Sequence, residues 1–200
     1  MIFLGLKARL SQKKFLNSIR GKVKHMQFDD MISVEHTKMK PLTISLAIDV
    51  KSRVLLGARV APIGAFGHLA DLSRKKYGPR MNRHKEALEE LFQGMRHTLS
   101  AFPKIESDEH KFYPEFVRKY APKSEYIRHK GGRGAVVGQG ELKKLTYDPL
   151  FILNHTCAML RANINRLHRK TWCTTKKPER LQIHLDIFMD YYNQIYLKSL

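Results

Sequence analysis

Apolar and small polar residues alternate at period two through Leu42-Thr43-Ile44-Ser45-Leu46-Ala47-Ile48, the pattern of a half-buried strand. Val54-Leu55-Leu56-Gly57-Ala58-Arg59-Val60 predicts the next strand, and the polar connection 49–53 suits a hairpin between them. Ahead of both, residues 25–33 read as a strand whose apolar run His25-Met26-Gln27-Phe28 ends on the acid pair Asp29-Asp30. Helical spacing takes over elsewhere. Residues 8–24 predict a basic helix with Leu10, Phe15, Leu16 and Ile19 on one side, and 67–77 and 84–100 predict two more, parted by Gly78-Pro79. In 84–100, Leu88, Leu91, Phe92, Met95 and Leu99 recur at three- and four-residue steps. A fourth strand over 104–107 ends at Asp108, a helix over 108–120 turns Phe112, Phe116 and Val117 inward, and 126–129 supplies a fifth strand. Five glycines fall within 131–140, the mark of an irregular loop. Pro149 at a first helical position, with Asp148 as cap, opens a helix to about 167, and Pro178 opens another to about 197.

The order is helix, three strands, two helices, strand, helix, strand, loop and two helices. Three consecutive antiparallel strands followed by alternating helices and strands describe an α/β fold with an RNase H-like core and C-terminal helices. In such a core the active site lies at the ends of the central strands. The expected division is 1–24 as a basic helical remnant of an N-terminal DNA-binding region and 25–200 as the catalytic domain.

Charge narrows the partners. Lys and Arg number 37 against 18 Asp and Glu, a formal net charge of +19, which favours a polyanion. Two cysteines without metal spacing, Cys157 and Cys173, fit free thiols in a reducing compartment. No apolar run approaches the roughly 20 residues of a membrane-spanning helix. The expectation is a cytoplasmic protein with no membrane partner.

In so basic a chain, carboxylates at the ends of neighbouring strands are candidate metal ligands. Phosphodiester hydrolysis or strand transfer needs an activated attacking oxygen and a stabilised leaving oxygen, and two Mg²⁺ or Mn²⁺ ions roughly 3.5–4 Å apart supply both. Such hard cations take oxygen ligands. Asp29 and Asp108 are the two candidates, though Asp108 also suits a helix N-cap. Asp30 points to the other strand face from Asp29, and Asp49 lies at the far end of its strand; both are expected to be structural. Glu141, after the glycine segment, is the candidate third ligand. Lys130 and Arg133 in that segment suit phosphate as well as a simple linker. Arg161, Arg166, Arg169, Lys170, Lys176 and Lys177 form a basic stretch able to follow a DNA backbone, with Arg166 and Lys170 on one helix face. No histidine pair has zinc-site spacing, so His36, His110, His129, His155 and His184 are expected on the surface or in the core.

Three blocks resemble the DDE transposases of bacterial insertion sequences, in the group related to insertion sequence one. They are Gln27-Phe28-Asp29-Asp30-Met31, Leu46-Ala47-Ile48-Asp49 with Ser52-Arg53, and Leu160-Arg161 with Asn165-Arg166-Leu167-His168-Arg169-Lys170-Thr171. The last helix, with Tyr191-Tyr192-Asn193, also fits, so the likeness covers about residues 25–195. It implies an RNase H-like fold, Mg²⁺, double-stranded DNA at transposon ends and target as partner, and a homo-oligomeric synaptic complex. It puts the first catalytic aspartate at Asp29 and the second at Asp108. The family's catalytic glutamate falls on the uncharged Asn154. Either Glu141 substitutes for it, or the chain is an inactive DNA-binding remnant; a nuclease of the same fold without strand transfer is the other alternative.

Overall fold

Each alternating segment is a strand in the computed structural model, which describes residues 1–130, 148–168 and 173–198. Strands β1 (Val23–Glu35), β2 (Thr37–Asp49) and β3 (Leu55–Pro62) form an antiparallel meander. Strand β4 (Leu99–Asp108) lies parallel to β1 on its other side, and β5 (Glu125–His129) lies parallel to β4. The sheet order β3-β2-β1-β4-β5 makes this an α/β fold with an RNase H-like core. Around it stand α1 (Ile2–Ser18), α2 (Leu69–Tyr77), α3 (His84–Met95), α4 (Tyr113–Tyr120), α5 (Phe151–Asn163) and α6 (Pro178–Gln194). None of the described helices is long and apolar enough to cross a membrane.

Several boundaries differ from the sequence pattern. The first helix runs over Ile2–Ser18 rather than 8–24, and Gly21, with φ +68, turns the chain into β1. The helix expected over 84–100 stops at Met95, because Leu99 already belongs to β4. The helix expected over 108–120 begins only at Tyr113, with Pro114 in its first turn, where a missing N–H costs nothing. The helix expected to reach 167 ends at Asn163, whose side-chain amide donates back to the Met159 carbonyl. Ile164 is then extended, and Asn165–Leu167 forms a separate 3-10 turn.

Period-two burial divides the core between the two sheet faces. Leu42, Ile44, Leu46 and Ile48 share one face with Leu153 and Leu160 of α5 and Leu181 and Leu185 of α6. Met26, Phe28 and Ala47 share the other with Leu88, Leu91 and Phe92 of α3 and Tyr113, Phe116 and Val117 of α4. Removing each large apolar side chain from water contributes about 1.5–3 kcal/mol. Gly57 is required for the close approach of α3 to β3, since a Cβ there would stand 2.7 Å from Leu91 Cδ1.

Edge strand β3 is covered by side-chain amides of α6. Asn193 accepts from the Leu55 N–H and donates to the Leu55 carbonyl, while Gln182 accepts from Val60 N–H and donates to the Ala58 carbonyl. These bonds satisfy edge groups that would otherwise be free to pair with another strand. Gln12 of α1 joins the network, donating to Leu55 O and accepting from Asn193.

Candidate active site

Strand β4 stays paired with β1 only as far as Gln27↔Glu106, whereas β1 continues to Glu35. Asp29 and Asp108 each stand two residues beyond that last pair, so they lie at the same level of two adjacent strands. Gln27 Nε2 donates to Glu106 Oε2 at 2.8 Å, so these two side chains share a sheet face, and the period of two puts Asp29 and Asp108 on that face as well. Gln27 also reaches the start of α5, donating to the Pro149 carbonyl and accepting from the Leu153 N–H. Asp108 ends β4 as the sequence pattern suggested, whereas Asp29 lies within β1 rather than at its end. Both are at the end of the pairing of β1 with β4, where backbone and side chains have room to diverge.

Burial and neighbouring charge set the protonation of Asp29. Burial, reinforced by the Asp108 carboxylate, pushes Asp29 up to about 7, against the opposing pull of hydrogen bonds from the Asp30 N–H and Tyr113. Asp29 Oδ1 accepts from the Asp30 N–H at 2.7 Å and from the Tyr113 hydroxyl at 3.0 Å. Asp108 Oδ1 accepts from the His110 N–H at 2.9 Å, a local turn rather than a cap of α4, which starts five residues later. The second oxygen of each carboxylate has no protein donor among the described residues.

Asp30 faces the α3–α4 side, as alternation along the strand requires. It accepts from Thr43 Oγ1 at 3.0 Å, from Ser45 Oγ, from His84 Nε2 at 2.5 Å and from the Tyr113 hydroxyl at 2.6 Å. Burial alone would raise its pKa, but the His84 hydrogen bond and charge, with Ser45 and Tyr113, hold it below the ordinary carboxylate value. Thr43 and Ser45, the polar half of the alternating strand, are buried because they hold this acid. The two acids are less separate than alternation implies, since the Tyr113 hydroxyl lies within hydrogen-bond reach of both. Burial and the two aspartates raise the Tyr113 pKa, which keeps the hydroxyl a donor.

Asp30, His84 and His110 offer ligand atoms within 4.8 Å of one another. Any cation there would compete with the four protein donors that already saturate Asp30, so the arrangement reads first as a hydrogen-bonded anchor. Glu106 is occupied in the same way. Burial would raise it, yet Gln27, Lys104 and His25 hold it down at about 2. Sequence reasoning missed Glu106, His84, His110 and Tyr113 as a group. The only linear signal was Glu106 at two residues from Asp108, which puts both on one strand face.

On α5, Cys157 is buried, and its thiol is pushed up to about 12 by burial, with Arg161 opposing and Asp29 adding to the shift. One turn of α5 thus faces the Asp29 carboxylate. Asn154 is exposed near the start of that helix, and its amide donates to Asp148 Oδ2 at 2.9 Å. Asp148 Oδ1 accepts from the Leu150 N–H in the turn before α5; the helix starts at Phe151 with Leu150 as its N-cap, so the expected Asp148 cap and Pro149 first position are corrected.

Glu141 and the glycine segment lie outside the described residues, as do Arg169 and Lys170. Lys176 and Lys177 are exposed just before α6. Arg161 belongs to α5, but Arg166 sits in the following 3-10 turn, where its Nε donates to His184 Nε2 at 2.9 Å. The expectation that Arg166 belongs to a continuing helix face is corrected, because α5 has already ended at Asn163.

The protein class defined by this topology is an RNase H-like α/β domain carrying a carboxylate pair at the parting of its central strands. No family model matches the chain, and no curated protein matches it. Among solved structures it is similar to a chain in the cryo-EM structure of the simian T-cell lymphotropic virus intasome in complex with PP2A regulatory subunit B56 gamma. The TM-score is 0.44 at 11% identity, over 86% of this chain and 49% of that one, so this chain spans about half the length of the other. At that distance the likeness adds nothing to the topology already described.

Proposed function

We propose that this chain is a DDE-type transposase catalytic domain that cuts DNA at insertion-sequence ends and joins the freed strand to target DNA. The observation that carries the reading is the pairing of Asp29 with Asp108 at one level of adjacent parallel strands, each with an oxygen that no described protein group occupies. A donor set of carboxylate oxygens suits Mg²⁺ or Mn²⁺, and the mutual repulsion that raises Asp29 is what a bound cation relieves. When bound, the metals activate the attacking oxygen and stabilise the leaving one. The chain's own residues do the rest. Tyr113 fixes the Asp29 carboxylate through its hydroxyl, and the Thr43, Ser45 and His84 bonds to Asp30 fix Tyr113's second acceptor. Glu141 is the proposed third acid. Arg161, Arg166, Arg169, Lys170, Lys176 and Lys177 hold the DNA backbone. Water attack frees a 3′-OH at the transposon end, and that hydroxyl then attacks the target phosphodiester within a homo-oligomeric synaptic complex. The division of the chain into a basic remnant over 1–24 and a catalytic domain over 25–200 belongs to the same reading.

A second reading, an inactive DNA-binding remnant, is favoured by Asn154, an uncharged residue already hydrogen-bonded to Asp148. Calorimetric titration with Mn²⁺ separates the two. Binding that disappears in Asp29→Ala, with strand-transfer products from labelled ends, supports the enzyme. Cleavage products alone turn the reading toward a nuclease. An absence of Mn²⁺ binding sinks both enzymatic readings.

A further inference from the structure

A cleft of about 710 Å³ opens between α1, α3, α6 and edge strand β3, and none of the acids of the candidate active site lines it. Its size falls within the about 300–1,000 Å³ of small-molecule sites. Its charge is one-sided. Arg9 is paired with Asp186, and Arg59 has Glu90 at 3.5 Å, so the two lining acids are already answered. Lys13, Arg20 and Arg96 also line the cleft and form no ion pair among the described residues. All three depress the pKa of His97, after the larger effect of its burial, so their charges converge on one part of the wall. His97 is half-buried among them, and its Nε2 is closed off from solvent without a hydrogen-bond partner among the described residues. Leu16, Leu56, Leu91 and Met189 close the floor of the cleft and are themselves almost completely buried, so the exposed lining is mainly polar and basic.

We propose that this cleft binds a multiply charged phosphate group, held against Lys13, Arg20 and Arg96. Three convergent cations without carboxylate partners suit a multiply charged phosphate, and guanidinium groups bind its oxygens in pairs. The same chemistry is offered by a free nucleotide and by a nucleotide within a nucleic-acid strand. The site is independent of the acidic pair and needs no metal held there.

The test is calorimetric titration of the full chain with ADP in a chelating buffer, which removes divalent cations from the experiment. Saturable one-to-one binding is expected. Reversal of the three cations, in Lys13→Glu/Arg20→Glu/Arg96→Glu, weakens it by about ten-fold or more, the scale of losing charge-assisted bonds. The matched variant Arg74→Glu/Lys75→Glu/Lys76→Glu changes the net charge equally on α2 and leaves the affinity within about two-fold. Thermal melts of both variants confirm that they are folded. Displacement of ADP by a short single-stranded oligonucleotide assigns the site to a nucleic-acid strand, and persistence of ADP binding assigns it to a free nucleotide. The proposal is overturned if neither probe binds saturably, or if the two triple variants weaken binding equally.

Discussion

At the scale of single residues, the chemistry of this protein is concentrated in where three carboxylates find their partners. Asp30 and Glu106 are saturated with donors and held ionised, whereas Asp29 is buried beside Asp108 and keeps one oxygen free. This contrast gives Asp29 the character of a ligand and the other two the character of anchors. It also sets a pH dependence. Asp29 is raised from 3.8 to about 7, so the folded chain holds its proton more tightly than the unfolded chain. Stability from this group is fully present below about pH 4 and is lost as pH rises toward 7. Asp29→Asn therefore stabilises the metal-free protein at pH 7.5, by on the order of 1–3 kcal/mol. Urea unfolding at pH 4 and pH 7.5 checks this; an equal effect at both pH values contradicts it. Glu106 behaves oppositely. Lowered from 4.5 to about 2, it contributes stability above about pH 4.5 that disappears as pH falls toward 2. Glu106→Gln is destabilising at pH 7 and close to neutral near pH 2, which acid titration followed by circular dichroism would record.

At the scale of elements, the arrangement depends on amide side chains that close the sheet and on one glycine that lets a helix approach it. Asn193 serves both polar groups of Leu55 and binds Gln12 as well, tying α6, β3 and α1 at one point. Asn193→Ala leaves the Leu55 N–H and Gln12 Oε1 unpaired, while the Leu55 carbonyl keeps Gln12, and costs about 2–4 kcal/mol in denaturant unfolding, because each unpaired buried group costs about 1–3 kcal/mol. Loss of the α1 anchor exposes the β3 edge too, so the variant forms dimers or aggregates more readily by light scattering. Gly57→Ala meets Leu91 Cδ1 at 2.7 Å and costs about 1–3 kcal/mol through overpacking. The variant Gly57→Ala/Leu91→Ala recovers part of that loss only if this contact is its cause. An unchanged deficit in the double variant points elsewhere.

At the scale of the whole molecule, a net charge of +19 is spread over a fold whose candidate centre is acidic. Proposed DNA binding is then dominated by phosphate contacts and falls steeply with salt, the slope of log K against log salt growing by about 0.9 for each contact. Lys176→Ala/Lys177→Ala flattens that slope by roughly 1–2 if both exposed lysines touch phosphates. Fluorescence anisotropy with duplex DNA at several salt concentrations measures it, and an unchanged slope removes these lysines from the proposed interface.

Much of the sheet is written in the chain. Alternation through Leu42–Ile48 is enough to assign a strand, because a pleated backbone sends successive side chains to opposite faces whatever lies beyond them. Glycine and proline punctuation likewise separates the helices, since their backbone limits are local. The sequence alone therefore determined the order of elements, the RNase H-like core and the candidacy of Asp29 and Asp108. It did not determine helix ends, where Asn163 turned its amide back on the backbone and Leu99 was needed by β4. Nor could it tell a free carboxylate from a bound one, because Asp30, Glu106 and Asp29 owe their differences to Ser45, His84, Gln27 and Tyr113, brought in from distant positions. Only the tertiary structure decided that, by parting β4 from β1 beyond Glu106 and leaving two acids on one face of the opening, where burial and the Asp108 charge raise Asp29.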